Sequence, residues 1–186
     1  MNVYDFDGTV YAGDSSVDFY LYCLRKHPAI AACVFRQGWG VLQHATGRID
    51  TMRMKQEFFC FLRDLKESET LVETFWNGRQ AKIRDWYLER KQADDVIISA
   101  SPEFLLLPVC RRLGLQPPIA TQMDPASGKI KGQNCKGTEK VRRFQERFPE
   151  ERVGEFFSDS LTDAPLAALA ERAFFIKRGA PGPWPR

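Results

Sequence analysis

Val3-Tyr4-Asp5-Phe6-Asp7-Gly8-Thr9-Val10 is the stretch on which the rest of the chain turns. Its apolar lead-in reads as a strand, on which Asp5 and Asp7 point to opposite faces. Gly8 ends the strand and lets the backbone turn sharply, so that both carboxylates crowd one spot at its carboxyl end. Like charges so close are unfavourable unless a cation is shared or one group holds a proton. Mg²⁺ meets that condition, because it is a hard ion that prefers oxygen ligands and often brings a phosphate with it. Two aspartates at a strand-to-turn junction also arise by chance. The later strand ends decide between the two.

Working outward, the 186 residues suit one domain with an insertion. Apolar residues at 44% and charged residues at 27% are enough for a real core. A net charge of +3 without a long Lys/Arg block gives no reason to expect nucleic acid. The cysteines (Cys23, Cys33, Cys60, Cys110, Cys135) are scattered and form no CxxC pair, which argues against both a zinc site and a disulfide framework. Most sit in apolar runs and are expected as buried thiols in a reducing compartment. The immediate start of the strand leaves no room for a signal peptide, and no uncharged apolar run approaches a bilayer's width. A cytoplasmic location without stable membrane insertion is the expectation.

Behind the first strand the periodicity is helical as far as about Arg90: Val17 to Lys26, Ala29 to His44, a helix capped by Asp50 or Thr51, and a long pattern from Ser68. Asp14 or Ser15 stands ready as N-cap of the first. The character changes at Asp95-Val96-Ile97-Ile98-Ser99, a β-branched run suited to a strand buried on both faces. Strands then alternate with helices. Ile119 to Met123 and Gly154 to Ser158 read as strands, Thr138 to Phe148 as a helix, Ala164 to Arg172 as another, and Phe174 to Lys177 as a last strand. Lys129 to Gly132 reads as a hairpin return, and the Gly/Pro-rich tail from Gly179 as irregular. This pattern predicts a three-layer α/β/α, Rossmann-like core with a parallel sheet, formed by residues 1–13 and 92–186, and an inserted all-α subdomain, 14–91.

Parallel sheets bind ligands at the carboxyl ends of their strands. Here those ends carry Asp5-x-Asp7-Gly8-Thr9, Ser99-Ala100-Ser101, Asn134-Cys135-Lys136-Gly137 and Asp159-x-x-x-Asp163. A nucleophile, a proton donor, an ion site and phosphate-binding groups in one place are what phosphoryl transfer needs. The four motifs in this order, with helices inserted behind the first, resemble the haloacid dehalogenase (HAD) superfamily, and in detail its phosphoserine-phosphatase-like branch. The resemblance covers essentially the whole chain.

The resemblance implies roles for particular residues. Asp5 is the implied nucleophile, forming an aspartyl-phosphate, and Asp7 the acid that protonates the leaving alcohol and then activates water. Asp5, the Asp7 carbonyl and Asp159 are the implied Mg²⁺ ligands. Ser99 and the Ala100 amide are expected to bind phosphoryl oxygens, with Thr9 bracing the substrate-binding turn at Asp7. Lys136 is expected to neutralise charge shared by phosphate and Asp5, with Lys140 one helical turn away as its competitor. Asp163 is expected behind them, orienting Lys136 or the ion's water ligands. Each has a plainer reading: Ser99 as a strand-end hydroxyl, Lys136 as a solvated lysine, Asp163 as a helix cap. Asp7 favours phosphate esters, because a dehalogenase of this fold needs no acid two residues after its nucleophile. Phosphotransfer stays open.

The substrate is less legible. In phosphoserine phosphatases a loop Glu reads the amino group and a cap Arg reads the carboxylate. Here the loop position holds Asp14, and Arg53 is the nearest match for the arginine, with Arg48 and Arg79 as rivals. The apolar stripe Ala31, Val34, Phe35, Trp39, Val41 and Leu42 reads either as core of the inserted helices or as a greasy wall admitting a lipid or aromatic phosphate. Cys135 beside Lys136 is either a lowered-pKa thiol or a packing residue. The leading expectation is a Mg²⁺-dependent phosphomonoesterase acting on a small phosphorylated metabolite. The alternatives are a phosphatidylglycerophosphate-type lipid phosphatase, a phosphoserine phosphatase, or a member that binds a phosphorylated ligand without turnover.

Overall fold

The computed structural model describes residues 1–65 and 68–185. Six strands form one sheet: β1 (Val3–Tyr4), β2 (Val96–Pro102), β3 (Ile119–Thr121), β4 (Val153–Ser158), β5 (Ala170–Lys177) and β6 (Ala180–Pro183). Their order is β3-β2-β1-β4-β5-β6. The first five are parallel, and β6 runs antiparallel to β5. The two-residue period of the strands divides the core between the two faces of the sheet. Val3, Val96, Ile98 and Phe156 pack with Phe144 and Leu166 on one side, while Tyr4, Ile97 and Phe157 pack with Leu105, Leu106 and Tyr87 on the other.

Between β1 and β2 the chain forms α1 (Ser15–Lys26), α2 (Val34–Ala45), α3 (Thr51–Phe58), α4 (Ser68–Asn77) and α5 (Asp85–Arg90). After β2 come α6 (Glu103–Arg112), α7 (Thr138–Arg147) and α8 (Ala164–Ala167). The helices behind β1 are not a detached unit. Trp76 of α4 donates its indole N–H to Leu105 O at 2.7 Å, and Tyr4 packs edge-on to Tyr87 of α5 with ring centroids 4.9 Å apart. One apolar cluster thus runs from the sheet into the helical block.

Five expectations need correction. The Ala164–Arg172 pattern is helical only over Ala164–Ala167, and Ala170 to Arg172 already belong to β5, paired with β4. The pattern from Ser68 is broken after Asn77, because Ile83 is extended and pairs with Tyr11 in the turn behind β1. The Ala29–His44 pattern begins as a 3₁₀ turn, Pro28–Cys33. The tail is ordered as β6: along an antiparallel edge alternate residues face the neighbour, so Pro181 and Pro183 can both turn their donor-less nitrogens outward. Finally, the stripe on α2 is no core, because Val34, Phe35, Trp39, Val41 and Leu42 are all exposed. The protein side of α2 is Gln37 and Gly40, and a Cβ on Gly40 would stand 2.8 Å from Glu57 Cβ. The close contact with α3 needs a glycine, and that choice turns the bulky residues outward.

Candidate active site at the strand ends

The chain changes winding direction between β1 and β4, where a doubly wound sheet opens a crevice. A cleft of about 620 Å³ lies there, lined at its floor by Asp5, Asp7, Asp159 and Lys140. Asp5 continues the β1 ladder, its N–H donating to Phe157 O at 2.8 Å. Gly8 then turns with φ +72°, and a Cβ there would stand 1.8 Å from Asp159 Oδ2. Only glycine lets the Asp159 carboxylate close over the turn that carries Asp5 and Asp7.

Lys140 is the lysine paired with Asp5. Its ammonium donates to Asp5 Oδ1 at 2.6 Å and to Asp163 Oδ2 at 2.7 Å. The side chain is only 2% exposed. Lys136, the expected candidate, is exposed and lines the cleft wall, with no hydrogen bond from its ammonium to Asp5. The reason is helix geometry. Side chains lean toward a helix's N-terminus, and the N-terminus of α7 faces the cleft, so Lys140 in the first turn reaches back to the strand ends. Asp163 is held by Lys140 and by the Ser158 hydroxyl at 2.8 Å, so its partner is Lys140 rather than Lys136.

Burial dominates the electrostatics. It pushes the Asp5 carboxyl up to about 7 against the pull of the Lys140 charge. Burial also lowers the tendency of Lys140 to ionise, but the Asp5 and Asp163 carboxylates outweigh it and raise its pKa. Asp7 is likewise raised, mainly by burial, with the Asp14 charge adding to it. One Asp7 oxygen accepts the Ser15 N–H at 2.6 Å, and the other accepts the Ser101 hydroxyl. Ser101 in turn lies 3.2 Å from the Ser16 hydroxyl. Ser101 was not singled out from sequence, although its two-residue spacing from Ser99 put both on one face of β2.

Other expected residues divide. Ser99 and Ala100 line the cleft; the Ser99 hydroxyl accepts the Ser101 N–H at 3.0 Å. Thr9 is fully buried and off the cleft, and its hydroxyl accepts the Asp159 N–H at 3.0 Å. It braces the Asp159 loop, not the Asp7 turn. Asp14 is both a cleft residue and the N-cap of α1, accepting from Ser16 N at 2.9 Å and Val17 N at 3.0 Å. Arg53 points away, paired with Glu57 at 3.0 Å, and Arg48 and Arg79 are likewise absent from the cleft lining. Cys135 is fully buried, and burial pushes its thiol up to about 11, so it packs.

Among the described residues, the cation that enters the cleft from the helical block is Lys55. It donates to Ala100 O at 2.8 Å and Asn134 Oδ1 at 3.1 Å, and burial lowers its pKa to about 8. On α3, Thr51, Met54, Lys55 and Phe58 share one face, the spacing of a helical stripe, and all four line the cleft. Arg53 falls on the opposite face. Lys55 was missed from sequence; a lysine at helical spacing between Met54 and Phe58 is the signal that could have found it.

Among the described residues no three His, Cys, Asp or Glu side chains form a metal cage by themselves. The donors present are the Asp5 and Asp159 carboxylates beside the backbone of the Asp5–Gly8 turn. Mg²⁺ is commonly held by one or two carboxylates, with waters and phosphate completing the shell, so the set fits that ion.

Residues 3–168 match the model of the haloacid dehalogenase-like hydrolase family. Protein CicA of Caulobacter vibrioides is 29% identical over 201 aligned positions, covering 96% of this chain and 86% of that one. A Bordetella pertussis Tohama I protein of unknown function has a similar structure, with a TM-score of 0.78, 19% identity and coverage of 93% and 87%. A phosphoserine phosphohydrolase-like protein from Francisella tularensis gives 0.58, 17%, and coverage of 93% and 86%.

Proposed function

The chain belongs to the haloacid dehalogenase-like hydrolase family, and on that premise we propose that it is a Mg²⁺-dependent phosphomonoesterase working through an aspartyl-phosphate on Asp5. The observation that carries the reading is the buried Lys140–Asp5–Asp163 triplet beside an independently held second acid, Asp7. A pocket that merely bound phosphate would need cations but not two buried carboxylates, Asp5 and Asp7, in its floor.

In the first half-reaction an Asp5 oxygen attacks phosphorus, the bond to the ester oxygen breaks, and Asp7 gives its proton to the departing alkoxide. In the second, Asp7 takes a proton from water, whose oxygen attacks the phosphoryl group and returns Asp5 as a carboxylate. Burial of Asp7 raises its pKa and so favours the protonated acid, and its bonds from Ser15 and Ser101 hold it in place. Lys140 offsets the charge shared by Asp5 and the phosphoryl oxygens, and Ser99 and the Ala100 amide receive the latter. Asp5, Asp159 and the Asp7 carbonyl would hold Mg²⁺, which supplies charge neutralisation at the phosphate.

Residues 14–91 act in this reading as a cap over the core formed by 1–13 and 92–186. The cap contributes Val17, Met54 and Phe58 as an apolar wall, and Lys55 as a cation for a second oxygen-rich group of the substrate. The amino-acid readers of a phosphoserine phosphatase have weaker support, because Asp14 already caps α1 and Arg53 faces Glu57. The test is turnover of a generic aryl phosphate by the purified chain with Mg²⁺ and with EDTA. Turnover that requires Mg²⁺ is expected; none in either condition overturns the proposal.

A further inference from the structure

α2 is oriented against the usual rule. A surface helix normally turns its apolar side to the core. Here Gln37 faces inward, its amide donating to Phe58 O at 2.9 Å, beside Gly40. Phe35 is 86% exposed and Trp39 56%, with Val34, Val41 and Leu42 on the same outward side. Single exposed apolar residues are ordinary, but a contiguous aromatic and aliphatic face marks a contact surface.

The charge around this face indicates what it meets. Leaving aside Lys55, whose ammonium lies in the cleft, residues 21–57 hold five of the chain's 27 Lys and Arg (Arg25, Lys26, Arg36, Arg48, Arg53) but only two of its 24 Asp and Glu. Around this face the segment therefore carries +3, as much as the whole chain. Both acids are already engaged: Asp50 accepts the Arg53 N–H at 2.7 Å, and Glu57 lies behind α2, paired with Arg36 and Arg53. Arg25 and Lys26, before α2, and Arg48, after it, are exposed.

A second copy of the chain is a poor occupant. A two-fold contact sets the same patch against itself, and a cationic patch repels its own image. An anionic bilayer matches both parts, because Trp, Phe and Leu enter the headgroup boundary while flanking Lys and Arg meet lipid phosphates. Among the described residues no helix is long and apolar enough to cross a membrane. We propose that the outward face of α2, built on Phe35, Trp39 and Leu42 and flanked by Arg25, Lys26 and Arg48, docks the protein on an anionic membrane surface without spanning it.

The test is sedimentation of the full chain with phosphatidylglycerol-containing and with pure phosphatidylcholine vesicles. Binding to the anionic vesicles that weakens with salt is expected, together with quenching of tryptophan fluorescence by brominated lipid at Trp39. The double variant Phe35→Ser/Trp39→Ser, whose sites are exposed, is expected to bind roughly tenfold more weakly or worse. Arg25→Glu/Lys26→Glu is expected to remove the preference for anionic vesicles. Asp5→Asn is expected to sediment like the wild type, so failure of the phosphatase reading leaves this one standing, and the reverse. The proposal is overturned if the chain stays in the supernatant at low salt, or if brominated lipid leaves its fluorescence unchanged. It is equally overturned if Phe35→Ser/Trp39→Ser binds undiminished, or if the wild type is a dimer that this variant dissociates.

Discussion

The strand ends and the helices behind β1 meet in one cleft but are built differently. At the strand ends three carboxylates are held by partners from separate elements: Asp5 and Asp163 by Lys140, Asp7 by Ser15 and Ser101. The helical block contributes an apolar wall and, among the described residues, a single cation in the cleft, Lys55, which is itself held by core acceptors. Groups fixed in advance around the reacting atoms act on the chemical step, whereas a wall and one outlying charge act on substrate affinity. Substitutions at the strand ends should therefore lower kcat, and those in the helical block should raise KM.

Lys140→Met tests this division most severely. It strands two buried carboxylates, so kcat is expected to fall by about 10³-fold and stability by about 3 kcal/mol in denaturant unfolding. Lys136→Met, at the exposed position, is expected to change kcat by less than about tenfold and leave stability unaltered. A larger effect at Lys136 than at Lys140 would break the assignment. Asp7→Asn comes next, with an expected loss of roughly 10²-fold or more on alkyl phosphates. The loss should be smaller on aryl phosphates, whose leaving groups need less help from an acid; equal losses would argue against Asp7 as proton donor.

Lys55 sharpens the other half of the comparison. Lys55→Met is expected to raise KM by about tenfold with little change in kcat. Its pKa is lowered to about 8 by burial, so the charged form is present below that pH and lost above it. For an anionic substrate kcat/KM is accordingly expected to fall as pH rises through about 8, and the fall should vanish in Lys55→Met. A limb that persists in the variant belongs to another group. The smallest effect is expected for Arg53→Ala, less than about twofold in KM, because this arginine faces Glu57 and solvent.

Much of the site was legible because its grammar is local. Asp5, Asp7 and Gly8 are adjacent in sequence, and Asp159 and Asp163 flank one turn. The alternation Val3/Tyr4 and Ile97/Ile98 already divides the core between two faces. Illegible features depend on direction. The third residue of α7 reaches the strand ends because side chains lean toward the helix N-terminus, so Lys140 takes the place expected of Lys136. Arg53 and Lys55 are two residues apart, about 200° around α3, and only packing decides which faces the cleft. The α2 stripe was plain in sequence, but its orientation hung on Gly40 fitting against Glu57.

The most direct test of the Asp5 mechanism is an acid quench during turnover of an aryl phosphate with Mg²⁺, followed by peptide mass spectrometry. The expected result is one phosphoryl group on the N-terminal peptide, assigned to Asp5, and none on the Asp5→Asn protein, which should also lack turnover. A phosphoryl group on any other residue, or turnover that survives Asp5→Asn, would contradict it.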